Sequence, residues 1–226
     1  MPNKSKKEEL RGISPNSKKF KDYKSSLTLL NQLQEQAAIG LILGDASLNT
    51  QNKGNTYRIK FEWGNKNLPY VHHVFNLFDE WVISDPHKKC RISPKGNQVV
   101  NWGFQTISHT AFNWLADLFL SNGKKSIAKN LITDHLTGIG LAYWFMDDGG
   151  KLDYNPNSTN KSIVLNTHSF TSDEVDMMCK QLNVKFNLDC ELRSNKGKKI
   201  IVIKNHLVFA QLAGPHIIPE MSYKLP

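Results

Sequence analysis

The chain has 226 residues, 39% of them hydrophobic and 22% charged, enough to bury a substantial core in one large domain or two small ones. No apolar run approaches the ~20 residues of a membrane span. No charged segment leads into an apolar one as in a secretory signal, and Cys90, Cys179 and Cys190 lack zinc-site spacing, as expected of reduced thiols in an intracellular protein.

Residues 1–33 read as a basic extension, lysine-rich, with turn chemistry in "SPNSKKF" and a short helical segment near "YKSSLTLLNQL". "EQAAIGLILGD" then reads as an apolar helix ending at Gly44-Asp45, and "TYRIKFEW" alternates as a strand. "YVHHVFNLFDEWV" has helical periodicity, with Val71, Val74, Phe75, Phe78 and Trp81 on one stripe. "CRISPKGNQVVNWGFQT" predicts a hairpin turning at Pro94 to Asn97. "HTAFNWLADLFL" predicts a helix stopped by Gly123 in "SNGKK". The order recurs: helix in "LTGIGLAYWFMDD", strand in "KSIVLNTHS", helix in "TSDEVDMMCKQLNVKF", hairpin in "CELRSNKGKKIIVIK" turning at Lys196-Gly197, and helix in "HLVFAQLAG".

Spacing supports a duplication. Asp45 precedes Gly96 by 51 residues and Asp148 precedes Gly197 by 49; Asp45 precedes Lys125 by 80 and Asp148 precedes Lys224 by 76. The expected organisation is an extension over 1–33, a first α-β-β-α-β-β-α half over 34–132 and a second over 133–226.

The net charge of +9 points to a polyanionic partner, nucleic acid being the usual one. The surplus concentrates on the two hairpins: His87, Lys88, Lys89, Arg91 and Lys95 on the first, Arg193, Lys196, Lys198, Lys199 and Lys204 on the second. A solvated sheet face would look similar, but its duplication favours a binding face. Arg58, Lys60, Arg91, Arg193 and neighbouring Asn and Gln residues suit base edges, and lysines suit phosphate.

The helix ends raise a chemical question. A carboxylate is misplaced at a helix C-terminus, where the dipole is already negative. Gly40 and Gly44 would let the first helix approach its equivalent closely, bringing Asp45 and Asp148 together, and paired carboxylates either share a proton or hold a cation. Oxygen-only donors favour Mg²⁺, although Asp-Gly at a helix end is also ordinary turn chemistry. Lys125 and Lys224 occupy equivalent places after the terminal helices. They could stabilise a transition state or orient water, or serve only as surface lysines that suit a helix C-terminus.

"AIGLILGDA" and "LAYWFMDDG" resemble the two signature helices of a LAGLIDADG homing endonuclease of the monomeric, two-motif type, and "FEW", "PHKK", "NSTNKSIVLNT" and "YKLP" extend the resemblance across the chain. It implies an α+β fold of two pseudo-symmetric αββαββα halves forming a saddle of antiparallel sheets. It further implies cleavage of both strands of a long, asymmetric double-stranded DNA site to initiate intron mobility, and a mitochondrial home. Asp45 and Asp148 would hold the metal, with Gly44 and Asp147 in the same candidate set and Asp147 without a defined role. Lys125 and Lys224 would be the active-site basic residues. Mg²⁺ would be the cofactor, Mn²⁺ would substitute, and Ca²⁺ would bind without cleavage. DNA contacts would come from Arg58, Lys60, Lys88, Lys89, Arg91, Lys95, Lys151, Asp153, Asn155, Arg193, Asn195, Lys196, Lys198 and Lys199. A group I intron RNA maturase and an inactive DNA-binding protein are the alternatives on the same scaffold. Tyr143 and Asp147 depart from the family pattern, standing where it usually has small residues.

Overall fold

Helix α1 (Lys18–Ser26) starts at Ser17, whose hydroxyl accepts from the Phe20 N–H at 3.2 Å. In this computed structural model, which describes residues 7–152, 157 and 161–226, the helix expected over "YKSSLTLLNQL" is two helices. Leu27 is extended, and α2 (Gln32–Leu43) starts afresh behind a reciprocal cap. The Gln34 N–H donates to Asn31 Oδ1 at 2.9 Å and the Asn31 N–H to Gln34 Oε1 at 3.0 Å. At the end of α1 the Ser26 hydroxyl donates to the Tyr23 carbonyl at 2.7 Å, competing with the helical backbone bond there.

The described chain forms two compact units, residues 7–34 with 45–116, and residues 35–44 with 117–226. In the first, β1 (Ser47–Asn49), β2 (Arg58–Gly64), β3 (His87–Ile92) and β4 (Gln98–Gln105) form an antiparallel sheet in the order β1-β2-β4-β3. Strand β1 is only three residues long, too short for alternation to reveal it in the sequence. Alternation along β2 buries Ile59, Phe61 and Trp63 and exposes Lys60 and Glu62. Helix α3 (Leu68–Leu77) covers the buried side; Phe61 lies 4.7 Å from Phe104 and 5.5 Å from Phe78 between ring centroids. The predicted stripe is buried at Val71, Val74, Phe78 and Trp81, while Phe75 is half-buried.

The extension belongs to this unit's packing. Leu10 is buried, Lys7 pairs with Asp79, Arg11 pairs with Asp85 at 2.6 Å, and the Tyr23 hydroxyl donates to the Glu80 carbonyl at 2.5 Å. Burial, reinforced by Glu80 and Asp79, pushes the Tyr23 pKa up to about 12, so that the hydroxyl stays a donor.

In the second unit, β7 (Gly149–Leu152), β8 (Ser162–Leu165), β9 (Cys190–Asn195) and β10 (Lys198–Ile203) repeat the plan in the order β7-β8-β10-β9. Helix α5 (Gly138–Asp148) leads into β7, and α6 (Ser172–Phe186) packs on β9 and β10. Helix α4 (Asn113–Phe119) also differs from expectation. Gly123 does not stop it; Asn122 (φ 50°) and Gly123 (φ 74°) turn a short hairpin between β5 (Leu120–Ser121) and β6 (Lys124–Lys125). That hairpin carries Lys125. Helix α7 (His206–Ala213) and a 3₁₀ segment, Pro219–Lys224, complete the unit.

Candidate active site

The glycines of the first signature helix do what their spacing predicts. Within the second unit, residues 35–44 lie against α5 so closely that a Cβ built on Gly40 would stand 2.0 Å from the Gly140 carbonyl oxygen. A Cβ on Gly44 would stand 2.5 Å from both Cβ and Oδ2 of Asp147. The Asp147 carboxylate thus takes the room that a side chain at 44 would need. Thr137, the N-cap of α5, donates from its hydroxyl to Gln36 Oε1 at 2.9 Å, tying the same pair of helices at their other end.

The two lysines occupy matching positions. Lys125 Nζ donates to the Gly44 carbonyl at 3.2 Å, and Lys224 Nζ donates to the Asp147 carbonyl at 3.0 Å and to that of Met146. Gly44 and Asp147 are the residues immediately before Asp45 and Asp148. Each lysine therefore lies on the terminal carbonyls of a signature helix, where the dipole favours a cation. Asp45 is exposed and Asp148 half-buried. Carboxylate and carbonyl oxygens are hard donors, of the kind a divalent ion such as Mg²⁺ takes while keeping water or phosphate oxygens as its other ligands. Among the described residues, no group of three or more His, Cys, Asp or Glu side chains could hold a metal, so a protein-only cage of the calcium or zinc type does not fit.

Cross-strand register sorts the basic residues by face. In the first sheet, Ser47 pairs with Lys60 and Asn49 with Arg58, while Lys60, Glu62 and Gly64 pair with Gln105, Gly103 and Asn101. His87, Lys89 and Arg91 stand opposite Gly103, Asn101 and Val99, on that same face. A groove of about 400 Å³ runs along it, lined by Asp45, Ser47, Asn49, Lys60, Glu62 and Lys89 among others. Lys88 faces the other way, opposite Trp102, because alternate residues of a strand point to opposite sides. Lys95 is exposed in the turn joining β3 to β4.

Sequence reasoning missed Glu62, a carboxylate in the middle of this basic face. Lys89 Nζ donates to it at 2.6 Å and Asn101 Nδ2 at 2.8 Å. The Asn101 and Lys89 hydrogen bonds hold its pKa below the usual glutamate value. The sign follows: this network's stabilisation is full above the unfolded-state pKa and fades as pH falls through the lower folded value.

In the second sheet Arg193 stands opposite Ile200 and Asn195 opposite Lys198, while Lys196 and Gly197 form the turn with φ of 52° and 75°. Lys198 Nζ donates to the His168 carbonyl at 2.6 Å. Glu191 binds Arg193 at 2.8 Å and Lys204 at 2.5 Å, a counterpart of the Glu62 network. Lys199 is on the other side, with Ser194, and pairs with Asp176 of α6 at 2.5 Å. Lys151 pairs with Ile163, the face opposite Arg193. Asp153 and Asn155 lie outside the described residues. The Arg193 face also carries a buried apolar cluster of Val164, Ile200 and Val202, with Leu152 against it. The run "IIVI" signalled that cluster, since a strand apolar at consecutive positions is covered on both faces.

Residues 35–208 match the family model described as the LAGLIDADG DNA endonuclease family. The chain is 46% identical over 221 residues to a probable intron-encoded endonuclease of Wickerhamomyces canadensis, covering 97% of this chain and 95% of that relative. The chain belongs to the LAGLIDADG DNA endonuclease family. Among solved structures it is similar to the homing endonuclease I-WcaI bound to its DNA recognition sequence, with 45% identity, a TM-score of 0.91 and 97% of both chains covered. A cytochrome b mRNA maturase, bI2 of Debaryomyces hansenii, is 29% identical over 193 residues, 82% of this chain and 71% of that one.

The two departures from the family motif have a packing reason. A Cβ on Gly40 would stand 2.9 Å from the Tyr143 Cβ, and one on Gly44 would meet Asp147. The larger residues of one signature helix thus face the glycines of the other. Tyr143 is buried, and burial pushes its pKa up to about 12.

Proposed function

We propose that this member of the family is a monomeric, site-specific DNA homing endonuclease that hydrolyses both strands of a long, asymmetric duplex site and so initiates intron mobility. The observation that carries this is the duplicated arrangement of a lysine on the carbonyl preceding an acidic residue, Lys125 before Asp45 and Lys224 before Asp148. One such arrangement per strand is what double-strand hydrolysis requires. The similarity to I-WcaI, solved on its DNA recognition sequence, supports DNA as the partner.

Asp45 and Asp148, with the Gly44 and Asp147 carbonyls, would hold Mg²⁺; Mn²⁺ would substitute, and Ca²⁺ would bind without cutting. A bound divalent ion supplies Lewis-acid stabilisation of charge on the phosphate and lowers the pKa of water. The chain's own residues do the rest. The lysine ammoniums stabilise the charge developing on the attacked phosphate, and the sheet faces hold the duplex in register.

Arg58, Lys60, Arg91, Arg193 and Asn195 suit base edges, and Lys95, Lys196 and Lys198 suit phosphates. A strand of eight residues spans about 26 Å, or roughly eight base pairs, so two sheets read ~16. The groove of the first sheet shares His87, Phe104 and Gln105 with a cleft of about 680 Å³ lined by Lys21 and Lys24 of the extension and by Arg58. The extension thus borders the same surface and suits the DNA backbone. A mitochondrial source accords with a cytochrome b mRNA maturase among the relatives.

The test is a plasmid carrying a site selected from a randomised library. Linearisation in Mg²⁺ is expected, with affinity falling steeply between 50 and 200 mM salt as counterions return. A flat salt profile and an intact plasmid would remove the reading. Glu62→Gln is expected to release Lys89 to the phosphates: affinity for unrelated DNA rises several-fold and the salt slope steepens by up to about one. A slope and affinity matching the parent protein would mean that Glu62 does not restrain Lys89.

An RNA maturase role is the second reading, favoured by the similarity to bI2. Splicing of the host intron by purified protein decides between them, since a pure endonuclease leaves splicing unchanged.

A further inference from the structure

Lys125 lies on a two-residue strand, β6, in a hairpin too short to be rigid by itself. Something else must fix its ammonium, and the start of α6 with the residues just before it does so from two directions. The Phe170 ring stands beneath the Lys125 ammonium, 4.8 Å from ring centroid to Nζ. Two residues beyond Lys125, the Ile127 N–H donates to Glu174 Oε1 at 3.1 Å. The other oxygen of that carboxylate, Oε2, accepts from the N–H and hydroxyl of Thr171, each at 2.8 Å, and the Glu174 N–H returns a bond to Thr171 Oγ1 at 3.3 Å. The carboxylate that holds the backbone two residues after Lys125 is therefore itself locked into the capping box that starts α6.

We propose that Phe170 and Glu174 are positioning residues for Lys125, Phe170 aiming the ammonium and Glu174 fixing the backbone that carries it. An aromatic ring is a suitable partner for this task. It attracts the cation through its quadrupole without neutralising it, as a carboxylate would, and takes up none of the ammonium N–H donors. Lys224 is fixed differently, from the 3₁₀ segment at the chain's end through the Met146 and Asp147 carbonyls. The two lysines thus depend on separate supports, and damage at Phe170 falls on one of the two scissions.

The proposal rests on the reading of Lys125 as an active-site residue, so Lys125→Met is measured alongside. Supercoiled plasmid with the selected site is cut in Mg²⁺, and each strand's rate is followed from nicked and linear products. Lys125→Met is expected to slow one strand so that nicked plasmid accumulates. Phe170→Leu is expected to slow that same strand about tenfold, leave the other within twofold, and leave DNA affinity unchanged, with Phe170→Tyr restoring the rate.

Replacing Phe170 by singly, doubly and trebly fluorinated phenylalanine keeps the ring's shape while draining its quadrupole. The rate on that strand is expected to fall stepwise, an effect that mere packing does not produce. Equal loss on both strands, or no trend with fluorination, overturns the proposal. If Lys125→Met cuts both strands at the parent rate, the reading of the lysine itself fails.

Discussion

Asp148→Asn is expected to abolish cutting in Mg²⁺, a loss of about a thousandfold or more, while leaving DNA affinity within about threefold; Asp45→Asn should do the same. The argument is electrostatic. An asparagine keeps the shape and one oxygen of the side chain but removes the negative charge that would bring a divalent ion to the end of a signature helix. The lysines remain on the Gly44 and Asp147 carbonyls. On the proposed reading DNA affinity comes instead from sheet residues such as Lys60 and Arg91, which both substitutions leave in place. Single-turnover cleavage and a binding titration in Ca²⁺ read the two effects separately. Full cutting by either variant would remove that aspartate from the metal set. Loss of binding in step with cutting would mean that the residue is structural.

Gly40→Ala is expected to lower stability by about 3 kcal/mol or more, a drop of roughly 6–12 °C in melting temperature for a chain of this size. The added methyl would stand 2.0 Å from the Gly140 carbonyl oxygen and 2.9 Å from the Tyr143 Cβ. The first of these is backbone, so relief requires the helices themselves to separate. Gly214→Ala is the control: its φ is −51° and nothing lies within 4 Å of the added carbon, so it should be neutral or slightly stabilising. Thermal denaturation followed by circular dichroism measures both. A Gly40→Ala midpoint within a degree of the parent would mean that the signature helices do not pack this tightly in solution.

Much of the fold was legible because its signals are local. The hairpin at Lys196-Gly197 needs two residues at positive φ, and the α6 start is written in Thr171 and Glu174. Strand β1 escaped because three residues carry no period. Asn122-Gly123 was misread because the same glycine serves a helix stop and a hairpin turn, and only the pairing of Leu120 with Lys125 chooses between them.

The sequence by itself determined the duplication, the family and the matched positions of Asp45, Asp148, Lys125 and Lys224, because a repeat preserves spacing and spacing is visible in one dimension. Tertiary structure decided which basic residues share a face, withdrawing Lys88 and Lys199 from their groups. A strand's two sides differ by one residue of register, and register is set by the partner strand. It likewise decided that Glu62 sits between Lys89 and Asn101, and that Asp147 fills the space over Gly44. These are contacts between residues far apart in the chain, and only packing brings them together.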